Sequence, residues 1–276
     1  FALGLLPYLV LPLRALSHPP VNWGNPVTLE NFTWLVSGRL YQDELFSVTA
    51  AHAWDATQVS ARLLLEQFGA LGLCLGMLGL AVFSPASPSR WTLVWVAIAF
   101  SAFSIAYATR DAQAHLIPAF LSFSVWIGLA LGGLMERWPS ARFWLAAAFA
   151  AYLVFLAAQA WPRVDASQDR RAEEFGRAVL AEAPRDALVF ARGDEAVFAL
   201  WYFHFALGER PDMVVIASDL LHHAWYQDML RAAYPNLVVP GPFPFEETLR
   251  LSNPTRPACY VEYAGRAEVE CLDPIR

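Results

Sequence analysis

The side chains with chemical capacity sit at a few separated points of the chain. Arg110, Asp111 and His115 lie where one apolar segment ends and the next begins. An acid and an imidazole four residues apart share a helix face if the next helix starts early. With Arg110 they can hold a phosphate-sugar head group, take a metal or shuttle a proton. A plain capped helix start, with Asp111 on the N-terminal dipole, is the simpler role. Asp194 follows a short apolar strand in Arg192-Gly193-Asp194-Glu195, and open α/β sheets place ligands at the carboxyl ends of their strands. Capping the next helix is its simpler role and the preferred one. His222-His223 has no evident third ligand, so no metal site and no cofactor is expected.

A shaped loop organises the rest. His18-Pro19-Pro20-Val21-Asn22-Trp23-Gly24-Asn25-Pro26 contains prolines that forbid regular structure, and Gly24-Asn25 permits a sharp reversal. Thr28 is placed to cap a short helix that Gly38 ends. Arg14 marks the exit from a preceding apolar run, and Trp23 or Trp54 can stack on a sugar ring. Arg14 and Arg110 are the cations available to a phosphate leaving group.

The flanking elements divide into two halves. The chain is 57% hydrophobic with a net charge of -6, and all its basic residues are arginine. Its mean hydropathy of +0.37 is an average over unlike parts. Residues 1–161 carry long apolar runs, whereas residues 162–276 have ordinary soluble composition. Clustered positive charge, the footprint of nucleic-acid binding, is missing. Phe1 opens inside an apolar run with no charged n-region, which reads as the end of a membrane helix and as a piece of a longer protein. Residues 1–13 and four further segments, 63–83, 91–108, 114–134 and 143–161, give about five membrane helices, each of the four near the ~20 residues that cross a bilayer. The polar stretch 14–60 forms an outer loop. Gly69, Gly72, Gly76 and Gly79 allow close helix approach. Arg90, Arg137 and Arg142 against Glu136 put those connectors on the cytoplasmic side, and everything polar on the other.

The second half alternates helix and strand: helix 168–183 capped at Asp165 or Ser167, strand 187–191, helix 194–207, strand 213–217, helix 224–233 and strand 237–239. That order implies a small parallel sheet in a soluble α/β domain. The helix 194–207 carries Phe198, Trp201, Tyr202 and Phe205 at core spacing. No dinucleotide or Walker glycine pattern occurs. A C-terminal hairpin about Gly265 puts Cys259 opposite Cys271, within disulfide reach if the compartment is oxidising. Cys74 is a free packing residue.

Leu6-Pro7-Tyr8, Leu11-Pro12-Leu13-Arg14, Pro19-Pro20-Val21-Asn22-Trp23-Gly24-Asn25-Pro26 and Val36-Ser37-Gly38 together resemble the multi-pass membrane proteins related to protein O-mannosyltransferases, in the glycosyltransferase C superfamily. Asp111, His115 and Pro118 agree with the turn before a late membrane helix. Leu200-Trp201-Tyr202, Gly208-Glu209-Arg210-Pro211-Asp212 and Trp225-Tyr226 agree with the start of the family's soluble region. The resemblance spans about residues 4–235. It implies transfer of a sugar, mannose first, from a polyprenyl- or dolichyl-phosphate donor to a Ser or Thr hydroxyl of an acceptor protein on the non-cytoplasmic face. It makes Asn22, Trp23, Asp194, Trp201, Arg210 and Asp212 binding candidates. It also implies an essential acid in an outer loop before a His-Pro-Pro-Gly-Tyr-Pro type segment. His18-Pro19-Pro20 continues Val-Asn-Trp and is not that segment, so the acid is expected before Phe1 and residues 1–276 alone are expected to be inactive. The competing readings are a non-catalytic membrane-anchored binding module and a lipid-linked sugar transporter. The latter needs intramembrane polar groups, and the segments offer little beyond Ser101, Ser104, Ser122 and Ser124.

Overall fold

The computed structural model describes residues 4, 6–45, 47–81, 88–109, 111–241, 245–264 and 267–275. Arg110, Gly265 and the connector 82–87 lie outside the described residues. The chain forms two compact units, residues 40–165 and residues 1–39 joined to 166–276. The N-terminal segment joins the α/β half through Val21, Trp23 and Trp34, which pack against its core.

That segment contains α1 (Val10–Ala15) and α2 (Leu29–Val36). The turn between them uses Gly24 at φ 71° and Asn25 at φ 40°, which bring the chain round before Pro26. The backbone N–H of Asn31 donates to the Thr28 hydroxyl at 3.2 Å, so Thr28 caps α2 as its position suggests.

The second unit is helical: α3 (Ala50–Ala81), α4 (Pro88–Ala106), α5 (Ile117–Arg137) after a 3-10 turn (Ala112–Leu116), and α6 (Arg142–Val164). Among the described residues three apolar helical runs, Ala50–Ala81, Ala112–Arg137 and Pro139–Val164, are long enough to cross a membrane; Leu6–Ala15 and Trp91–Ala106 are apolar but shorter. The helix α3 begins at Ala50, well before the apolar segment that starts at residue 63. Thr49 supplies the reason: its hydroxyl accepts the N–H of His52 at 3.2 Å and starts the helix within the polar stretch. Part of the expected surface stretch is thus helical. Gly76 and Gly79 give α5 its seat against α3, because a Cβ at either would collide with Phe123 or with the carbonyl of Trp126. Gly69 has a different role. At φ 62°, ψ 174° it breaks α3 into two helical stretches.

The α/β part of the first unit runs α7 (Arg171–Glu182), β1 (Leu188–Arg192), α8 (Asp194–Trp201), β2 (Val214–Ala217), α9 (Ala224–Ala233), α10 (Glu246–Ser252), β3 (Ala258–Tyr263) and β4 (Ala267–Leu272). The sheet order is β2-β1-β3-β4, with β1 parallel to both neighbours and β4 antiparallel to β3. The central strand β1 is buried from Leu188 to Ala191, as a parallel strand covered on both faces must be. Phe175 and Val179 of α7 and Ala196 and Leu200 of α8 share its core.

Three expectations are corrected. Residues 237–239 are not a strand. Asn253 satisfies that backbone instead: its Oδ1 accepts the N–H of Val238 at 3.0 Å, and its Nδ2 donates to the Val238 carbonyl at 2.9 Å. The third parallel strand is β3, the first arm of the hairpin, so one element serves both the sheet and the hairpin. The helix α7 is not capped by Asp165 or Ser167; Asp169 accepts the N–H of Arg171 at 3.1 Å. The helix from Asp194 continues to Ala206 as expected, α8 passing into π geometry over Tyr202–Ala206, but its aromatic residues are not all core. Phe198 and Tyr202, one turn apart on one face, are exposed at 50% and 57%, while Trp201 and Phe203 are buried.

Candidate functional site

The loop 18–25 is fastened to the α/β core through aromatic rings. Trp23 lies 5.5 Å from Trp225 and 6.5 Å from Phe198, measured between ring centroids. Trp34 of α2 meets Trp225 at 6.2 Å and His223 edge-on at 5.5 Å. His223 in turn stacks near-parallel on Trp225. Burial, and then the neighbouring His222, hold the His223 imidazole below its ordinary range. Trp23 is therefore half-buried as a wedge, and its faces are engaged by protein rings.

Beneath the loop lies a cavity of about 400 Å³ walled by His18, Asn22, Asn25, Trp225, Asp228 and Met229. Asn22 donates from Nδ2 to Asn25 Oδ1 at 2.9 Å, and Asn31 donates to the Asn25 carbonyl at 2.9 Å. These bonds fix the two amides and leave the side-chain Oδ1 of Asn22 and Nδ2 of Asn25 without a partner among the described residues. The cavity thus combines an indole, two held amides and the Asp228 carboxylate, which pairs with Arg231 at 2.8 Å.

A second cavity, about 650 Å³, sits at the carboxyl ends of β1 and β2, where a parallel sheet presents ligands. Arg192, Asp219, His222 and Glu246 line it. Glu246 holds the Arg192 guanidinium in a fork, with Nη2 to Oε2 at 2.9 Å and Nε to Oε1 at 3.2 Å. Asp219 accepts the N–H of Gly193 at 3.0 Å. Gly193, at φ 78°, makes the turn out of β1 that a side chain would strain.

The sequence candidates are distributed unevenly over these features. Asn22 lines the loop cavity and Trp23 braces it. Arg14 is exposed at the end of α1 and does not line it. Asp194 is the first residue of α8, with Gly193 in the cap position, so it acts on the helix dipole and does not cap through its side chain. Trp201 is buried at 5% exposure. Arg210 and Asp212 form a structural staple. The guanidinium donates to Asp212 Oδ1 at 3.0 Å and Oδ2 at 2.9 Å, to the carbonyls of Ala183 at 3.0 Å and Pro184 at 2.9 Å, and to that of Leu180. This fork holds the Asp212 carboxyl well below the usual carboxylate range. Every guanidinium nitrogen is engaged, so none is left for a ligand.

Asp111 and His115 belong to the other unit. The segment between them is a 3-10 turn, in which residues three apart eclipse, so the expected shared face at i+4 does not form. Asp111 is exposed, and His115 turns edge-on to Phe103 at 4.8 Å and Tyr107 at 5.5 Å. No cluster of three potential metal ligands occurs among the described residues. Cys259 and Cys271 face one another in the β3–β4 register and are joined by a disulfide.

Trp225 is marked in the sequence only as part of a motif, and Asp228, Asp219 and Glu246 carry no mark as site residues. Asp219 carries a legible signal, since it follows β2 by two residues. The others reach their cavities only through tertiary packing.

Residues 172–260 match the family model described as TMEM260-associated domain 2. The chain is 25% identical over 270 residues to the mouse protein named Protein O-mannosyl-transferase TMEM260, a match covering 87% of this chain and 37% of that relative. The chain thus spans little more than a third of that relative's length. No solved structure matches it.

Proposed function

From a chain related to protein O-mannosyl-transferase TMEM260, we propose the outer domain and adjoining membrane helices of a glycosyltransferase. It moves a sugar, mannose first, from a polyprenyl- or dolichyl-phosphate donor to a Ser or Thr hydroxyl of a protein. The hydroxyl loses its proton to a carboxylate base and its oxygen attacks the anomeric carbon. The bond from that carbon to the lipid phosphate breaks, and the phosphate leaves with the electron pair. The base is expected outside residues 1–276, as the family resemblance implies.

The observation that carries this reading is the cavity under the loop. Fixed amides and a carboxylate match the hydroxyls of a sugar, and the rim of the buried Trp225 gives the cavity an apolar wall. A disulfide in the hairpin supports a non-cytoplasmic domain, because oxidising compartments preserve such bonds. The exposed Phe198 and Tyr202 favour a second reading, a membrane-anchored module that binds an acceptor without catalysis.

Sugar transfer by the full-length protein tests both. Asn22→Ala and Asp228→Asn are expected to lower kcat/KM about tenfold each, the loss of one good polar contact to the sugar. Full activity in both variants removes the cavity from the reaction. A full-length protein that binds acceptor yet transfers no sugar from a lipid phosphate establishes the binding reading instead.

A further inference from the structure

One apolar face of the α/β half has no cover among the described residues. Residues 196–208 contain no Asp, Glu, Lys or Arg. Most of that stretch is core, since Ala196, Val197, Leu200, Trp201 and Phe203 are buried. Phe198, Tyr202 and Leu207 are instead exposed, and so is Ala206. Phe198, Tyr202 and Ala206 follow one another at four-residue spacing. They form a stripe along α8 and the π turn that extends it, with Leu207 at its end. The Tyr202 hydroxyl is the one polar side-chain group on the stripe.

The same compact unit holds the apolar segment 6–16. Leu9, Val10, Leu13 and Leu16 are exposed at 52–69%, so the α/β core does not cover that segment. Lipid covers apolar side chains at the end of a membrane helix, which puts the start of the headgroup layer near Arg14. The backbone N–H groups of Leu16, Ser17 and His18 still donate to the carbonyls of Pro12, Arg14 and Ala15, so the helical path runs on to His18. Five residues later Trp23 meets Phe198, with ring centroids 6.5 Å apart. Five residues span about 17 Å even when fully extended. Trp23 therefore links the chain's exit from the membrane to the stripe over a short path.

We propose that Phe198, Tyr202 and Leu207 lie in the headgroup layer of the membrane that residues 6–16 leave, so that α8 is a second anchor of the α/β half. A tyrosine suits that boundary, with its ring in the apolar layer and its hydroxyl in water. A protein partner would need a polar rim and matching hydrogen-bond groups around the rings, and the stripe offers one hydroxyl. The lipid it fits is zwitterionic or neutral. Asp194 and Glu195 are exposed at the start of α8, and no arginine stands between Arg192 and Arg210, so an anionic headgroup gains no cation there. The anchor does not rest on sugar transfer, and it takes the stripe away from an acceptor protein.

The test uses the full-length protein in phosphatidylcholine vesicles, with Cys74→Ser removing the free thiol of residues 1–276. A nitroxide is attached at Phe198→Cys or Tyr202→Cys and, as a water reference, at Glu182→Cys on the exposed end of α7. Collisions with oxygen, which partitions into lipid, are expected to exceed those with a water-soluble nickel chelate at 198 and 202. The order is expected to reverse at 182. A nitroxide at Leu207→Cys reads the cause: Phe198→Ser with Tyr202→Ser is expected to abolish its preference for oxygen. Nickel collisions that dominate at 198 and 202 overturn the proposal, because the stripe then stands in water. Few collisions with either reagent also overturn it, because protein then covers the stripe, as the acceptor-binding reading requires. Sugar transfer measured in the same vesicles keeps the two ideas apart. Transfer with a wet stripe removes the anchor and keeps the transferase, and a lipid-facing stripe without transfer does the reverse.

Discussion

Arg210 offers the sharpest contrast between a binding residue and a structural one. In Arg210→Ala the fork to Asp212 is lost, together with the donors to the carbonyls of Leu180, Ala183 and Pro184 at the end of α7. The pair is shielded, with Arg210 and Asp212 side chains 24% and 31% exposed. A charge-assisted bond is worth about 1.5–3 kcal/mol, and each neutral carbonyl bond about 0.5–1.5 kcal/mol. Water rescues part of this, so about 3 kcal/mol of local stability is expected to go. Native-state hydrogen exchange in the full-length protein reads that loss directly. Amides of β1 and β2 should exchange roughly 100-fold faster, at about 1.4 kcal/mol per decade. Asp212 adds a pH signature. Its folded pKa lies below the unfolded value, so its contribution is complete above about pH 4 and is lost as acid protonates it. Wild type should therefore lose exchange protection on acidification more steeply than Arg210→Ala. Unchanged exchange in Arg210→Ala, together with a raised KM for the donor, would refute the reasoning and return Arg210 to ligand binding.

Trp23→Ala removes two aromatic pairs worth about 0.5–1.5 kcal/mol each, and limited proteolysis should then cut within residues 16–28, which wild type protects. Cys271→Ser opens the β3–β4 clasp and should cost about 2–4 kcal/mol, seen as faster amide exchange in the hairpin with α3–α6 unaffected. Gly69→Ala sets its Cβ against the Tyr152 hydroxyl and strains φ, so it should lower the thermal midpoint by more than Tyr152→Phe, which removes only a bond of about 1 kcal/mol. The His223 imidazole is held neutral by burial, so its folded pKa lies below the unfolded value. Its ring stack should lose stability as pH falls below about 6.5, and amide exchange across α2 and α9 should show this in wild type but not in His223→Phe.

Local rules made much of the chain legible. Apolar length placed the helical unit, because a bilayer core demands about 20 apolar residues whatever their neighbours. Thr28, Gly24 and Asn25 declared the loop and α2 through backbone chemistry that needs no tertiary partner. Strand-length apolar runs between helices implied a parallel sheet, and counting back from Gly265 paired Cys259 with Cys271.

Long-range geometry decided the rest. Whether Trp23 would offer its face to a ligand or be spent on packing depended on Trp225 and Phe198, about two hundred and one hundred and seventy-five residues away by subtraction of their numbers. Residues 237–239 have strand composition, yet the side chain of Asn253 outcompetes a neighbouring strand for their backbone. Arg210 and Asp212 have the residue types of a phosphate or sugar site, but the end of α7 brings three carbonyls to the guanidinium and consumes its donors. The glycines of α3 look alike in sequence; only packing against α5 and α6 makes Gly76 and Gly79 close-approach points and Gly69 a latched break. Periodicity and caps are set by neighbours in the chain, whereas the identity of a site is set by what the fold leaves unpaired.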